Sequence, residues 1–428
     1  MSAVLQEIVA KNRAGYRTAV PSVCSSHPDV IDASLMLAFE IGHPIAIEAT
    51  SNQVNQFGGY TGQTPMQFAQ HVRERCQHYG GSMDNIVLGG DHLGPQAWKS
   101  EPVEAAMNKA SEMITAYVQA GFTKIHLDCS EGCQGEPLQL DDAVTAERSA
   151  SLAKVALNAC NAPETLTFVI GTEVPPPGGA RTEEDGTIPA TSPEAARATL
   201  TAHQEAFSRA GIGSAFQQVS GLVVQPGVEF GPMSVHHFPV DRDPCLIEAL
   251  DAWPNICLEA HSTDYQNADV YPRLAELGFA YQKVGPALTY AWREAVYSID
   301  LFIAAIEEKT PNLIGLMDAI MIEKTEAWSK HYSDEYGDLR YQRHFGLADR
   351  IRYFWPDPRA VRAVQELFLE FENLAPPKTA LRQVFVPEIL DRADRFSGMT
   401  RAKALCFASI QHALLPYFFS PATLETGS

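Results

Sequence analysis

The chain has 428 residues and a formal net charge of −20, with 45% hydrophobic and 20% charged residues, a balance that gives a folded protein with a large core and room for an extension. The acidic excess excludes a surface built to neutralise nucleic-acid phosphates or an anionic membrane, and no apolar run is long enough to cross a bilayer. The eight cysteines, scattered from Cys24 to Cys406, form neither a zinc ribbon nor a Cys-x-x-Cys redox pair, so they read as reduced thiols of a cytoplasmic protein, with Cys129 as the one exposed-loop candidate.

The N-terminal stretch sets Leu5, Ile8 and Val9 among Glu7, Lys11 and Arg13, which predicts an amphipathic helix and not the apolar core of a signal peptide. A first strand is expected over residues 18–27, ending in small polar residues, and a second over 44–50, followed by an amide- and glycine-rich loop from Ser51 to Tyr60. The third, Asn85-Ile86-Val87-Leu88, closes on Gly89-Gly90-Asp91-His92-Leu93-Gly94-Pro95. A strand end that curls into a loop offers both Asp91 and His92 to one pocket. The bland alternative is an Asx turn beside a packed histidine.

Residues 124–130 form the fourth strand, whose period of two puts His126 and Asp128 on one face. The fifth strand ends at Glu173 and leads into a long polar loop through Thr187, a length more often found in binding loops than in plain connections. Strands six, seven and eight end in Gln225, His261 and Lys283-Val284-Gly285. Eight strands alternating with helices predict an α/β fold, a (β/α)8 TIM barrel over residues 1–300, followed by an α-helical extension over 301–428. An open doubly wound sheet would gather its polar strand ends at one switch point, whereas here they recur at Glu48, Asp91, Asp128, Glu173, Gln225, His261 and Lys283. The extension carries arginines, including Arg350 and Arg352, and aromatics between Trp328 and Trp355 that suit either a cap on the barrel or an interface.

Two histidines and a glutamate, His92, His261 and Glu173, supply the ligand set of an open catalytic site for a divalent metal, zinc. Asp91 beside them is the expected acid/base, with Asp128 as a second catalytic carboxylate. Glu48, Asn52, Gln53, Gln225, Asp264 and Lys283 are expected to face a sugar or sugar-phosphate ligand. The alternative is a hydrated polar mouth that holds no metal. A desolvated Lys283 could form a Schiff base with a ketose, with Lys124 a weaker candidate because it begins its strand at the far end, but an acidic mouth would keep the Lys283 amine protonated in a salt bridge, and that reading is preferred. There is no nucleotide phosphate loop of the G-x-x-x-x-G-K-[ST] type.

The stretches Ser51 to Gly62, Gly89 to Pro95, Glu259-Ala260-His261-Ser262-Thr263-Asp264-Tyr265 and Asp349-Arg350-Ile351-Arg352-Tyr353 resemble the Z-type, non-catalytic subunit family of tagatose-bisphosphate aldolase, whose members have also been labelled tagatose-6-phosphate kinases. The barrel more distantly resembles class II fructose-bisphosphate aldolases. The resemblance implies acid/base and metal-ligand roles for Asp91 and His92, a strand-four His-x-x-Asp pattern similar to His126-Leu127-Asp128 but one residue longer, a carboxylate near the metal at Glu173 and a later ligand at His261. It also implies a third histidine where this chain has Gln225, and a Gly-Gly-Ser-Gly phosphate loop where it has His261-Ser262-Thr263-Asp264, so a weak metal site is expected. The function implied is a component of tagatose-bisphosphate aldolase that supports a catalytic class II aldolase subunit, itself forming homo-oligomers or not. An autonomous metal-dependent ketose enzyme, an aldolase or 4-epimerase, is the alternative, and the kinase label is disfavoured.

Overall fold

The structure, a computed structural model, describes residues 2–171, 188–419 and 422–423. Eight parallel strands close a barrel in sequence order: β1 (Val20–Cys24), β2 (Ile45–Thr50), β3 (Ile86–Leu93), β4 (Lys124–Leu127), β5 (Thr167–Gly171), β6 (Val219–Val223), β7 (Cys257–Ala260) and β8 (Phe279–Val284). The ring closes where β8 pairs with β1, Val20 opposite Tyr281 and Val23 opposite Val284. The strands are apolar on both faces because the outer face meets helices and the inner face meets the opposite wall. The barrel expected from the sequence is the fold observed.

Local signals set the helices around it. The helix α1 (Ala3–Arg13) starts at Ser2, whose side chain accepts the Leu5 N–H, and buries Leu5, Ile8 and Val9. These three pack on the inward residues Val20, Ala46, Val87, Val169 and Tyr281, so α1 plugs the amino-terminal end of the barrel. Each aliphatic chain buried there contributes roughly 1.5–3 kcal/mol. The helix α2 (Pro28–Ile41) follows β1 and ends at Gly42, whose φ of 72° gives the left-handed C-cap. A reciprocal capping box between Thr64 and Gln67 opens α3 (Pro65–His78). Beyond these come α4 (Val103–Gln119), α5 (Asp142–Ala159), α6 (Pro193–Arg209), α7 (Val270–Glu276) and α8 (Pro286–Ile306).

The remaining helices are α9 (Leu313–Glu323), α10 (Leu339–Phe345), α11 (Pro358–Leu374), α12 (Lys378–Leu381), α13 (Pro387–Ala393) and α14 (Arg401–Leu414). The last of them, α14, packs on both α8 and α2, and the Gln411 amide donates to the Ala33 carbonyl at 2.8 Å. Between α10 and α11 the buried Asp349 carboxylate accepts from Arg293 at 2.8 Å and from Thr289 at 2.6 Å, which ties the turn of 3-10 helix Arg350–Phe354 to α8. Trp328, Tyr332, Phe354 and Trp355 are buried, so these aromatics form a cap on the barrel's own helices, while Tyr341 stays exposed.

Two expectations are corrected. Cys129 lies in no exposed loop: it is fully buried, and burial pushes its thiol pKa up to about 12. All eight cysteines are free. Lys124, expected at the far end of its strand, sits beside Gly89 of β3, because β4 begins three residues further up the barrel than β3 does. Among the described residues no helix is long and apolar enough to cross a membrane.

Candidate metal and substrate site at the barrel mouth

Above the apolar floor the barrel interior becomes a layer of buried charge. Glu48 on β2 receives the Lys124 ammonium at 2.9 Å and the Lys283 ammonium at 2.5 Å. Lys124 reaches Glu259 on β7 at 2.6 Å, and Lys283 lies 3.5 Å from the same glutamate. All four side chains are within 5% of complete burial, where unpaired charges would cost several kcal/mol each. Glu48 can lie across the barrel because β3 offers it Gly89: a Cβ there would stand 2.6 Å from the Glu48 Cγ.

One level higher, β3 ends in a bulge. Its pairing with β4 shifts between Gly90 and Leu93, and His92 adopts a φ of 46°. A left-handed non-glycine residue costs about 1–3 kcal/mol, and here it turns both Asp91 and His92 into the cavity instead of one inward and one outward. Asp128 holds the turned ring: its Oδ2 takes the His92 Nδ1 at 2.7 Å, while its Oδ1 accepts from the Ser130 N–H at 3.0 Å and hydroxyl at 2.7 Å. Gly94 lets the chain pass, since a Cβ there would lie 1.7 Å from the Asp128 carbonyl oxygen.

Ligand atoms of Asp91, His92, His126 and His261 all lie within 4.8 Å of one another. Each ring has one nitrogen engaged from outside the cluster. His92 Nδ1 meets Asp128, His126 Nε2 meets the Gly171 carbonyl at 3.0 Å, and His261 Nε2 meets Glu259 at 2.8 Å. The opposite ring nitrogens, His92 Nε2, His126 Nδ1 and His261 Nδ1, are the ones that would serve a metal, and His126 Nδ1 is met by the His92 N–H at 3.2 Å and by Asp91 Oδ1 at 3.0 Å. Carboxylates and carbonyls behind imidazoles are how metal-binding histidines are oriented and made more basic. Three imidazole nitrogens and a carboxylate oxygen suit zinc by donor type.

The charges around the cluster are uneven. Burial opposes the His92 cation, but Asp91 and Asp128 outweigh it and push its pKa up to about 9. Burial, reinforced by Lys283 and His92, brings His261 down to about 4 despite Glu259, so this ring is neutral. Burial works against the Asp91 carboxylate as well, yet His92, Lys283 and His126 hold it well below the usual range. The Lys283 amine, 2.5 Å from Asp91, is held protonated by Asp91, Glu259 and Glu48 against its burial. An ammonium has no lone pair for a Schiff base.

Asp91, His92, Asp128, His261 and Lys283 line one cavity of about 570 Å³, within the ordinary range for a small-molecule site, while His126 is fully buried and is not part of its lining. Of the residues expected to face a sugar, Asn52, Gln53, Asp264 and Lys283 line it. Gln53 is folded back, its Oε1 accepting the Thr50 N–H at 3.0 Å. Asp264 accepts from the N–H groups of Gly285 at 3.0 Å and Ala287 at 2.8 Å at the start of α8. Glu48 lies beneath the cavity, under Lys283. Gln225 is not brought to it; its Oε1 is spent on the N–H groups of Gly227 and Val228 after β6. Glu173 lies outside the described residues. The sequence reading passed over His126 as a ligand, Glu259 as its neighbour's orienter, and the arginines of the extension as lining. For two of these a signal existed: the period of two that placed His126 with Asp128 also sets Glu259 on the same face as His261.

A closed parallel barrel with an imidazole and carboxylate cluster at its carboxyl mouth is the architecture of a TIM-barrel protein with its candidate site at the C-terminal ends of the strands. Over residues 5–422 the sequence matches the family described as D-tagatose-1,6-bisphosphate aldolase subunit GatZ/KbaZ-like, and the chain belongs to that family. It is 40% identical over 422 residues to the D-tagatose-1,6-bisphosphate aldolase subunit GatZ of Salmonella heidelberg (strain SL476), covering 97% of this chain and 98% of that protein. It is 42% identical over 388 residues to the D-tagatose 6-phosphate 4-epimerase of Agrobacterium fabrum, covering 90% and 91%. A crystal structure of a probable tagatose 6 phosphate kinase from Sinorhizobium meliloti 1021 superposes with a TM-score of 0.83 at 42% identity, covering 94% of this chain and 99% of that one.

Proposed function

We propose that the chain is itself a divalent-metal enzyme acting on ketose phosphates of the tagatose type, as a 4-epimerase or an aldolase. The observation that carries this reading is the third imidazole. His126 joins His92 and His261, and each ring is backed by a carboxylate or carbonyl. Those three residues would hold the metal, zinc by donor type, which when bound supplies a Lewis acid that polarises a substrate oxygen. Asp91, ionised and at the same mouth, accepts the proton of the hydroxyl at the carbon whose bond is broken or inverted. Its depressed pKa makes it a weak base, suited to a hydroxyl that is already acidified. Lys283 keeps Asp91 ionised and fixes its position. Asp128 positions His92 and touches no reacting atom in this reading.

The relative named as a 4-epimerase carries an enzyme's name and not a subunit's, which supports this reading. The test is to assay the pure protein with zinc and after chelation, on tagatose 6-phosphate, fructose 6-phosphate and tagatose 1,6-bisphosphate. Zinc-dependent interconversion or cleavage is expected, and inactivity on all three with zinc loaded would overturn it. A second reading, favoured by the family description and the relatives named as aldolase subunits, is that the chain stabilises a separate catalytic class II aldolase barrel in the cytoplasm. Co-elution with such a subunit, together with a rise in its melting temperature, is what that reading requires.

A further inference from the structure

The barrel strands place an acidic and imidazole-rich cluster at the base of the cavity, but its upper wall has the opposite sign and comes from a different part of the chain. Arg350 and Arg352, on the 3-10 turn that Asp349 anchors to α8, both line the cavity. Neither guanidinium is ion-paired with a carboxylate among the described residues. Other arginines of this region are: Arg343 pairs with Asp318 at 2.7 Å and Arg293 with Asp349 at 2.8 Å. In a chain with 52 acidic and 32 basic residues, two half-buried cations left without a counter-ion in a cavity are unusual.

What does hold them is neutral. Arg350 Nε donates to the Ala327 carbonyl, and Arg352 donates to the carbonyls of Ala348 at 2.5 Å and Asp349 at 3.1 Å. Both guanidinium carbons lie over the Tyr353 ring, at 4.9 and 4.6 Å. The pair is therefore fixed in place with charge to spare. Its field is visible in two neighbours. Burial would raise the Tyr353 phenol, yet Arg352 and Arg350 lower it below the ordinary value. His331, also on the cavity wall, is brought to about 4 by burial and then by Arg350, Arg352 and Lys99. Lys99 is itself tied to Glu131. An anion seated between the two arginines would relieve this field, and paired guanidinium forks suit the oxygens of a phosphomonoester dianion.

We propose that Arg350 and Arg352 form the phosphate subsite of this cavity, so that a ketose monophosphate spans from the extension's arginines to the His92, His126 and His261 cluster. This rests on the ketose-phosphate reading above and adds where the phosphate is held and which part of the chain holds it. The phosphate loop that a barrel strand would otherwise supply is replaced by the turn after α10.

The test is calorimetric, on the full chain. Tagatose 6-phosphate, unphosphorylated tagatose, a hexuronate and inorganic phosphate are titrated into wild type, Arg350→Gln and the Arg350→Gln/Arg352→Gln double variant. Wild type is expected to prefer the phosphorylated sugar over tagatose, and the double variant to lose roughly 10²-fold for the phosphorylated sugar, with tagatose affinity and zinc binding unchanged. Because Arg352 also braces backbone carbonyls, Arg350→Gln alone, expected to lose about tenfold, keeps the test open if the double variant misfolds. Equal losses for tagatose and its phosphate, or tighter binding of the hexuronate than of the phosphate, would overturn the subsite. The two readings fail separately. If no ketose is turned over but inorganic phosphate binds wild type and not Arg350→Gln, the reaction fails and the subsite stands. If ketoses are turned over with the same kcat/KM with or without phosphate, and the variants match wild type, the subsite fails and the reaction stands.

Discussion

The Lys283 ammonium sits 2.5 Å from the Asp91 carboxylate, joining the last strand of the barrel to the bulge that ends β3. Between them they fix the charge state of the cavity base. Lys283→Met removes the cation shared by Glu48, Glu259 and Asp91, leaving Lys124 as the one lysine for the two glutamates and the imidazoles alone for Asp91. It is expected to cost about 3–5 kcal/mol in urea unfolding. A loss under about 1 kcal/mol would show that the layer is hydrated and not held by this pair.

Zinc affinity separates His126 from Gln225 as the source of the third ligand. His126→Ala should weaken binding by at least about tenfold, measured by competition with a chromophoric chelator. Gln225→Ala should leave it unchanged, since that amide is committed to the turn at Gly227 and Val228. The opposite ranking would remove His126 from the metal set.

Asp128→Asn tests whether orientation of His92 matters separately from ligation. Asn can still meet His92 Nδ1 but brings no negative charge, and zinc affinity is expected to fall about 10- to 100-fold with the fold retained. Unchanged affinity would mean that the left-handed turn at His92 is held by the backbone alone.

The register of the strands explains which of these features could be read from the sequence. The eight strands and their polar ends were legible because parallel strands run apolar and stop at turns. The pairing of Asp91 with His92 in one pocket was legible from the glycines around them. What could not be read was height. Lys124 looks like the foot of a strand, but stagger sets it level with Gly89 and Glu48, so it belongs to the charged layer. His126 as a third ligand depends on barrel closure, which puts β7 across from β4. Arg350 and Arg352 lie more than two hundred residues from Asp91, and no local pattern indicates that the extension folds back over the mouth.

Stability should also report on Asp264. Burial raises its pKa to about 6, against the pull of the Ala287 and Gly285 N–H groups, whereas an unfolded aspartate sits near about 3.9. Between pH about 4 and 6 the folded state therefore holds more protons than the unfolded one, and this residue's contribution to stability falls as pH rises through that window. Asp264→Asn cannot titrate. Its melting temperature relative to wild type is expected to rise from pH 4 to pH 7, by an amount on the order of 3 kcal/mol in stability. A difference that stays constant across the window would place the Asp264 carboxyl in a water-like environment.

The helix α14 occupies the seam of the ring, against α8 behind it and α2 ahead of it, and its contact from Gln411 to Ala33 spans 378 residues of sequence. The first helix after the first strand therefore waits for almost the last helix to be synthesised before its outer face is covered. While the chain emerges from the ribosome, the face of α2 on which α14 packs stays without that cover for nearly the whole of translation. Such non-local closure makes folding slow, and it makes the nascent barrel a substrate for chaperones until its C-terminal residues arrive.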